Sequence, residues 1–216
     1  MTYKAILFDL DGTLLDTLED IADSMNAVLG RIGCPQHPVD RYKKLIGGGM
    51  GDLARKVLPE SFRDNERIGN VLANMREEYS RRWSVKTAIY PGIKALLDGL
   101  EERGVQMAIL SNKPDDFTRL MCRHFLGQWS FSVIMGATDK LPRKPDPAAA
   151  IHIADVMGID PSEFIYLGDS DTDMMTAVCA GMYPVGALWG FRDAEELIAN
   201  GARKVLRKPE ELLGLL

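Results

Sequence analysis

Residues 4–14 read Lys4-Ala5-Ile6-Leu7-Phe8-Asp9-Leu10-Asp11-Gly12-Thr13-Leu14. The apolar run does not alternate with polar residues, which predicts a strand over 4–10 that is buried on both faces, as in a parallel sheet. Asp9 and Asp11 are two residues apart, so on a strand both carboxylates point to the same side. Gly12 permits a tight turn, and Thr13 adds a hydroxyl and an amide. This stretch therefore predicts a buried strand with a polar site at its carboxyl end.

Four more short apolar runs follow along the chain and alternate with helical patterns. The predicted strands cover 105–110, 131–135, 164–167 and, more weakly, 182–185. The predicted helices among them cover 92–103, 115–125, 147–157 and 171–180. Alternation of this kind predicts an α/β fold with a doubly wound parallel sheet, which binds ligands beyond the carboxyl ends of its strands.

The connection between the first two predicted strands contains only helical patterns. These patterns cover 21–31, 40–46, 52–58 and 65–82. A connection this long is an inserted domain rather than a loop. We therefore expect residues 1–15 and 84–216 to form the main domain. Residues 16–83 are expected to form an all-helical domain in the position of a lid.

The composition limits the classes of function. Of 216 residues, 46% are hydrophobic and 26% are charged, which is typical of a globular protein and excludes a disordered tail. The net charge of −5 gives no electrostatic reason to expect nucleic acid or an anionic membrane surface as a partner. No apolar run approaches the ~18 residues of a membrane span, and the first apolar run is too short for a signal peptide.

The cysteines and histidines argue against a soft metal site. Each type occurs three times, scattered and without a CxxC pair, at Cys34, Cys122, Cys179, His37, His124 and His152. This pattern predicts reduced thiols in a cytoplasmic protein and no zinc site. Any metal is expected to be a hard ion held by carboxylates.

Three further polar segments stand at the ends of later strands. Ser111-Asn112-Lys113 follows the second strand, Pro142 to Pro147 with Lys144 at its centre follows the third, and Gly168 to Asp173 follows the fourth. Singly, these segments are explained by a helix cap, a solvated loop lysine and an acidic helix start. Their joint occurrence at successive strand ends favours one functional site.

In these motifs and their order, the whole chain resembles the haloacid dehalogenase superfamily of phosphohydrolases. The resemblance implies a Rossmann-like core with a helical type-one cap. Within the superfamily, the sequence looks most like phosphoglycolate phosphatases at Gly47-Gly48-Gly49, Ser111-Asn112-Lys113, Lys144-Pro145-Asp146-Pro147 and Trp189-Gly190-Phe191. This resemblance implies hydrolysis of a small-molecule phosphate monoester, with 2-phosphoglycolate as the best candidate substrate.

The resemblance assigns roles to the acidic residues. Asp9 is the expected nucleophile and forms an aspartyl-phosphate, while Asp11 is the general acid and later the general base. A unit negative charge at about 4 Å from another costs about 4 kcal/mol at an effective dielectric of 20, so a phosphate dianion near Asp9 requires a counter-charge. We expect Mg²⁺ as cofactor, held by Asp9, Asp169 and, by the resemblance, the main-chain carbonyl of Asp11.

The remaining polar residues are expected to bind phosphate or to position other groups. Ser111, Asn112, Thr13 and Lys144 are the predicted phosphate contacts, and Lys144 also orients Asp9. Asp173 lies one helical turn after Asp169 and is expected to position Lys144 or a metal-bound water. Asp171, between them, is expected to be a solvated residue at a helix start.

The glycine cluster 47–49 is open to two interpretations. It follows no strand and lacks the GxxxxGK pattern, so it is not a phosphate-binding P-loop. It is either a flexible turn or, through Gly48, a cap loop that closes over the leaving group. Arg55 or Lys43 nearby could meet a substrate carboxylate. Lys113 either reaches the site or lies at the surface.

Other classes of protein share parts of this pattern. Asp11 argues against a dehalogenase, which needs no acid for a halide, and against a phosphonate hydrolase. A sugar phosphomutase on the same fold stays open. So does a receiver-like switch, although the long insertion counts against it. Pyrophosphate, sugar phosphates and nucleoside monophosphates remain alternative substrates, and the chain is expected to be a monomer or a homodimer.

Overall fold

The structure, a computed structural model, describes residues 3–216 and divides the chain into two compact units. The first unit contains the chain up to Asp16 and from Ile89 to Leu216, and the second contains Thr17–Ala88. Two short strands, at 15–16 and 88–89, pair with each other.

The first unit is built on a parallel sheet. In chain order the strands of the protein are β1 (Ala5–Phe8), β2 (Leu15–Asp16), β3 (Ala88–Ile89), β4 (Gln106–Pro114), β5 (Val133–Ala137), β6 (Phe164–Gly168), β7 (Tyr183–Ala187) and β8 (Lys204–Leu206). Six of them form one sheet in the order β5-β4-β1-β6-β7-β8, and every pair is parallel. The central strand β1 places Leu7 between Ala108 of β4 and Tyr166 of β6.

Of the helices within 3–216, the first four in the chain make up the second unit, and the other five belong to the first unit with this sheet. In chain order they are α1 (Leu18–Arg31), α2 (Val39–Leu45), α3 (Met50–Val57), α4 (Asn65–Arg82), α5 (Ile93–Glu102), α6 (Asp115–Phe125), α7 (Ala148–Met157), α8 (Asp171–Ala180) and α9 (Ala194–Ala199). Short 3₁₀ turns cover Glu60–Phe62, Pro161–Glu163 and Pro209–Leu215. None of the helices within 3–216 combines the length and the apolar character needed to cross a membrane.

Burial explains why β1 is apolar at every position. Its four residues are all fully buried, because successive side chains point to opposite faces and both faces are covered. On one face, Leu7 and Tyr166 pack in a cluster with Ala150 and Ile153 of α7. This arrangement confirms the predicted α/β fold with a parallel sheet.

The element bounds differ from expectation in a few places. The helices predicted over 65–82, 115–125 and 171–180 have those bounds, but β4 continues from the predicted end at 110 to Pro114. Its pairing with β5 is irregular between Leu110 and Pro114, where polar residues interrupt the apolar run. The edge strand β8 and the six-residue α9 are too short to produce a periodic signal.

The second unit packs four helices and ends at Ala88, five residues beyond the predicted boundary at 83. Helix α1 packs against α4, and Glu78 of α4 binds Arg31 and Arg82. The extra residues belong here because the buried carboxylate of Asp20 accepts hydrogen bonds from segment 86–87. A sequence pattern cannot predict this contact, which joins residues more than 60 positions apart.

Asp20→Ala should destabilise the protein by about 2–4 kcal/mol. The carboxylate of Asp20 accepts from the main-chain N–H of Lys86 at 3.0 Å and of Thr87 at 2.8 Å, and from the Thr87 hydroxyl at 2.7 Å. Its loss leaves these donors unpaired. Urea unfolding measures the change, with Asp23→Ala as the matched control. Asp23 makes a partly exposed ion pair with Lys86, so its loss should cost much less than the loss of Asp20. Equal losses would contradict this account.

Candidate active site

The predicted polar segments of the first unit meet at the carboxyl edge of the sheet. Asp9 directly follows β1, Ser111-Asn112-Lys113 lies in the last part of β4, and Asp169 directly follows β6. Lys144 lies in the loop between β5 and α7, and Asp173 in the first turn of α8. The parallel topology brings these segments together because it places the carboxyl ends of all strands on one edge.

Lys144 is at the centre of this group. Its ammonium donates to Asp9 Oδ1 at 2.8 Å, to Asp173 Oδ1 at 2.7 Å and to the main-chain carbonyl of Leu110 at 3.1 Å. The Lys144 side chain is only 2% exposed and that of Asp173 is fully buried. These bonds therefore form in a region of low dielectric, where they fix both the ammonium and the carboxylates.

Asn112 holds the loop that carries Lys144. Its side-chain nitrogen donates to the main-chain carbonyl of Lys144 at 3.0 Å, and its side-chain oxygen accepts from the Lys144 main-chain N–H at 2.9 Å. The Asn112 side chain thus ties β4 to this loop, a role that the sequence pattern did not predict. The phosphate contact expected of Asn112 remains a prediction.

Three buried carboxylates form an acidic cluster. One oxygen each of Asp9, Asp169 and Asp173 lies within 4.8 Å of the others. Together with Asp11, four carboxylates face the two ammoniums of Lys144 and Lys113, a formal excess of two negative charges. An all-oxygen donor set with this excess charge fits a hard divalent cation.

Burial changes the ionisation of these groups. It raises the pKa of Asp9 to about 7, with the charge of Asp173 acting in the same direction and Lys144 opposing both. Burial and the carboxylates of Asp9 and Asp173 raise the pKa of Asp169 well above its usual range. Burial by itself lowers the pKa of Lys144, but the carboxylates of Asp173 and Asp9 outweigh it and the pKa is raised. The acids therefore repel one another, and a bound cation would relieve that repulsion.

Asp169 is held by two loops. Its Oδ1 accepts from the Thr13 hydroxyl at 3.1 Å, and its Oδ2 accepts from the main-chain N–H of Phe191 at 2.8 Å. The predicted phosphate-binding hydroxyl of Thr13 is therefore directed at Asp169 in this structure. The approach requires glycine, because a Cβ at Gly12 or Gly190 would lie 2.3–2.5 Å from Asp169 Oδ2.

Trp189 also contacts the turn that follows β1. Its indole Nε1–H donates to the main-chain carbonyl of Thr13 at 2.9 Å. The segment 189–191, which follows β7, thus contacts both the turn after β1 and the acid after β6. The sequence pattern marked these three residues only as part of a resemblance and gave them no structural role.

Asp173 is oriented by its own helix start and by β6. Its Oδ2 accepts from the main-chain N–H of Ser170 at 3.1 Å and from the Ser170 hydroxyl at 2.5 Å. The Tyr166 hydroxyl donates to its Oδ1 at 3.2 Å. Sequence reasoning missed Ser170 and Tyr166, although Ser-x-x-Asp at a helix start is a capping pattern that identifies the first of them.

Asp11 belongs to a separate ion pair. The Lys113 ammonium donates to Asp11 Oδ1 at 2.8 Å and Oδ2 at 2.9 Å. The Lys113 side chain is only 4% exposed, so of its two predicted positions the structure has the one at the site. The Asp11 ligand expected for a metal is its main-chain carbonyl, which stays a prediction.

The structure of residues 3–216 records no hydrogen bond between the remaining predicted residues and the carboxylates of the acidic cluster. The Ser111 hydroxyl is buried and accepts from the main-chain N–H of Lys113 at 3.2 Å. Asp171 is the first residue of α8. Gly48 and Arg55 belong to the second unit, together with Lys43, and their predicted substrate contacts stay predictions.

Comparison with known proteins places this geometry in a family. The family description "haloacid dehalogenase-like hydrolase" matches residues 6–187. A phosphoglycolate phosphatase from Psychrobacter arcticus is 30% identical over 204 residues, covering 91% of this chain and 88% of the relative. One from Aquifex aeolicus is 30% identical over 213 residues, covering 99% and 96%. A crystal structure of a candidate phosphoglycolate phosphatase from Lactobacillus delbrueckii subsp. bulgaricus has a TM-score of 0.93 at 27% identity, covering 100% and 98%.

The raised pKa of Asp9 predicts a pH dependence of stability. Between its usual value of 3.8 and about 7, folded Asp9 keeps a proton that the unfolded chain releases, so stability falls as pH rises through this range. In EDTA, the wild-type protein should lose about 2 kcal/mol more than Asp9→Asn between pH 5.5 and 8. Urea unfolding of both proteins at the two pH values measures this. Identical pH dependence in the two proteins would show that Asp9 is not the group responsible.

Proposed function

The chain belongs to the haloacid dehalogenase-like hydrolases, and from this premise we propose that it hydrolyses 2-phosphoglycolate with Mg²⁺ through an aspartyl-phosphate on Asp9. As a phosphatase of that family it is a phosphoric monoester hydrolase. The substrate is supported by the relatives that are named phosphoglycolate phosphatases at 30% identity over most of both chains.

One observation carries the mechanism: the buried carboxylate of Asp9 is bound at Oδ1 by Lys144, 2.8 Å away, at the carboxyl end of the central strand. A hydrogen bond at one oxygen fixes the direction of the other. A nucleophile needs this positioning, because much of the rate gain of an enzyme comes from reacting groups held in place. Asp173 and Asn112 hold Lys144 at its two ends and so support the same geometry.

In the first step an Asp9 oxygen attacks phosphorus, and the bond between phosphorus and the leaving oxygen breaks. Asp11 gives that oxygen a proton, so the leaving group departs as a neutral hydroxyl. Asp9 must be ionised, and its pKa of about 7 leaves a substantial ionised fraction near neutral pH. Lys144 contributes to this fraction, because its ammonium lowers the pKa of Asp9 against the effects of burial and Asp173.

In the second step water attacks the phosphorus of the aspartyl-phosphate. Asp11, now a carboxylate, takes a proton from that water, and the Asp9 carboxylate leaves. Phosphate is released and both acids return to their starting states. The two carboxyl groups therefore have different roles, and in the structure they have different partners, Lys144 for Asp9 and Lys113 for Asp11.

Asp9 and Asp169 would hold Mg²⁺, with the main-chain carbonyl of Asp11. Bound Mg²⁺ would neutralise the charge of the phosphate and orient it for attack. Asp173 would orient Lys144 rather than bind the ion, because Lys144, Tyr166 and Ser170 already bond to its carboxylate. Thr13 and Phe191 would keep Asp169 in place.

Phosphate release from a panel of compounds tests the proposal. The panel contains 2-phosphoglycolate, pyrophosphate, sugar phosphates and nucleoside monophosphates, each with Mg²⁺. We expect kcat/KM of about 10⁴ M⁻¹s⁻¹ or more for 2-phosphoglycolate, well above the others. Asp9→Asn should lose at least about 100-fold, because the amide is a poor nucleophile. The same substitution at the exposed Asp155 of α7 should leave the rate unchanged.

Each other outcome has a definite meaning. Substantial activity in Asp9→Asn would remove Asp9 as nucleophile. Broad, weak activity would keep the phosphatase and discard the substrate. Phosphorylation of Asp9 without phosphate release from any compound would favour a phosphomutase or a phosphoryl switch.

The metal proposal has its own test. EDTA should abolish phosphate release and Mg²⁺ should restore it. Mg²⁺ should also raise the thermal unfolding midpoint of the metal-free protein, because it binds the folded state and relieves repulsion among the acids. Asp169→Asn should lose most of this shift. A full shift in Asp169→Asn, or activity that is unaffected by EDTA, would contradict the assigned metal site.

A further inference from the structure

The ammonium of Lys113 is buried at the site, although neither step of the proposed reaction requires a second lysine. It bonds both oxygens of Asp11, at 2.8 and 2.9 Å, and the two side chains are 4% and 12% exposed. Lys144, by contrast, is shared between the nucleophile Asp9 and Asp173. Burial of an ammonium is unfavourable, so a second buried lysine at a phosphate-binding edge calls for a reason.

The main chain around Lys113 is held on both sides. Its N–H donates to the Ser111 hydroxyl at 3.2 Å, and its carbonyl accepts from the Thr118 hydroxyl at 3.2 Å. Strand β5 approaches the same carbonyl so closely that a Cβ at Gly136 would lie 2.7 Å from it. The ammonium therefore extends from a fixed backbone, as a group that positions a ligand must.

The position of Lys113 relative to the leaving group follows from the role of Asp11. If Asp11 protonates the leaving oxygen, the leaving group lies against the Asp11 carboxyl, and Lys113 is the neighbour of that carboxyl. A carboxylic acid that gives its proton to the leaving oxygen cannot accept an ammonium through both oxygens at the same time. The ion pair must open, and the buried ammonium then needs another anion.

We propose that Lys113 binds a carboxylate of the leaving group and thereby selects phosphate esters of 2-hydroxy carboxylates. This inference rests on the proposed function. In such an ester the carboxylate carbon is two bonds from the leaving oxygen, so the anion lies beside the acid that protonates that oxygen. A charge-assisted hydrogen bond from Lys113 to this carboxylate replaces the bond that it gives up with Asp11. An ester with an uncharged leaving group leaves the ammonium without that compensation.

The test compares 2-phosphoglycolate with 2-hydroxyethyl phosphate, in which an alcohol replaces the carboxylate at nearly the same size. The wild-type protein should favour 2-phosphoglycolate in kcat/KM by about 10- to 100-fold, the range for a hydrogen bond between charged groups. In Lys113→Met the preference should fall to near one. Lys113→Arg keeps the charge and should retain a preference for the carboxylate. Lys94→Met, the same change at an exposed lysine of α5, should behave as wild type.

A merely structural role for Lys113 gives a different result. If the lysine only holds Asp11 in place, Lys113→Met lowers the rates for both esters by the same factor, and the proposal is overturned. It is equally overturned if the wild-type protein hydrolyses both esters with no preference, an outcome that leaves the proposed phosphatase function intact.

A binding measurement separates this inference from the proposed function. Calorimetry on Asp9→Asn, which is expected to bind without turnover, compares the two esters with and without Lys113→Met. Preferential binding of 2-phosphoglycolate that disappears with Lys113→Met supports the inference even if no panel compound is hydrolysed. Equal binding of the two esters to Asp9→Asn overturns it, whatever the turnover results.

Discussion

The site depends on the ion pairs that the Lys144 ammonium makes with two buried carboxylates. This ammonium lies between Asp9 and Asp173, where all three side chains are largely buried, and its positive charge offsets much of the cost of burying two carboxylates near each other. Lys144 is held at both ends: Asp173 accepts a hydrogen bond from its ammonium, and the Asn112 side chain bonds to its main chain. Because an unpaired buried charge is so unfavourable, this network has few alternative arrangements, and that lack of alternatives is what positions the carboxylate of Asp9.

The sheet supplies the framework for this network. Its central strand is buried on both faces and paired on both edges, so the turn after it starts from a rigid position. The turn then packs closely against Asp169 and the segment 189–191. At Gly12 and Gly190 the neighbouring atoms leave no room for a Cβ. Asp169 is thus fixed by packing and by hydrogen bonds together, while burial and the carboxylates of Asp9 and Asp173 raise its pKa. Their repulsion is the feature that a divalent cation would use.

The two lysines divide the site into two regions. Lys144 binds Asp9 and Asp173 of the acidic cluster, and Lys113 binds Asp11. In the proposed mechanism, this division separates the carboxylate that attacks from the one that exchanges a proton. On the proposed function, the first region is common to any phosphate ester, whereas the second meets the part of the substrate that differs from ester to ester.

The sequence by itself determined the parallel α/β fold, the helical insertion and the segments that meet at the site, because apolar periodicity and strand-end motifs are local signals. It also identified Asp9, Lys144, Asp169 and Asp173 as candidate site residues, each near the end of a predicted strand or in the segment after it. Only the tertiary structure decided that Asn112 holds the Lys144 loop, that Thr13 bonds to Asp169 and that Lys113 pairs with Asp11. The reason is that each of these bonds joins residues tens of positions apart. A side chain chooses among such partners by distance and burial, neither of which exists until the strands have been placed side by side.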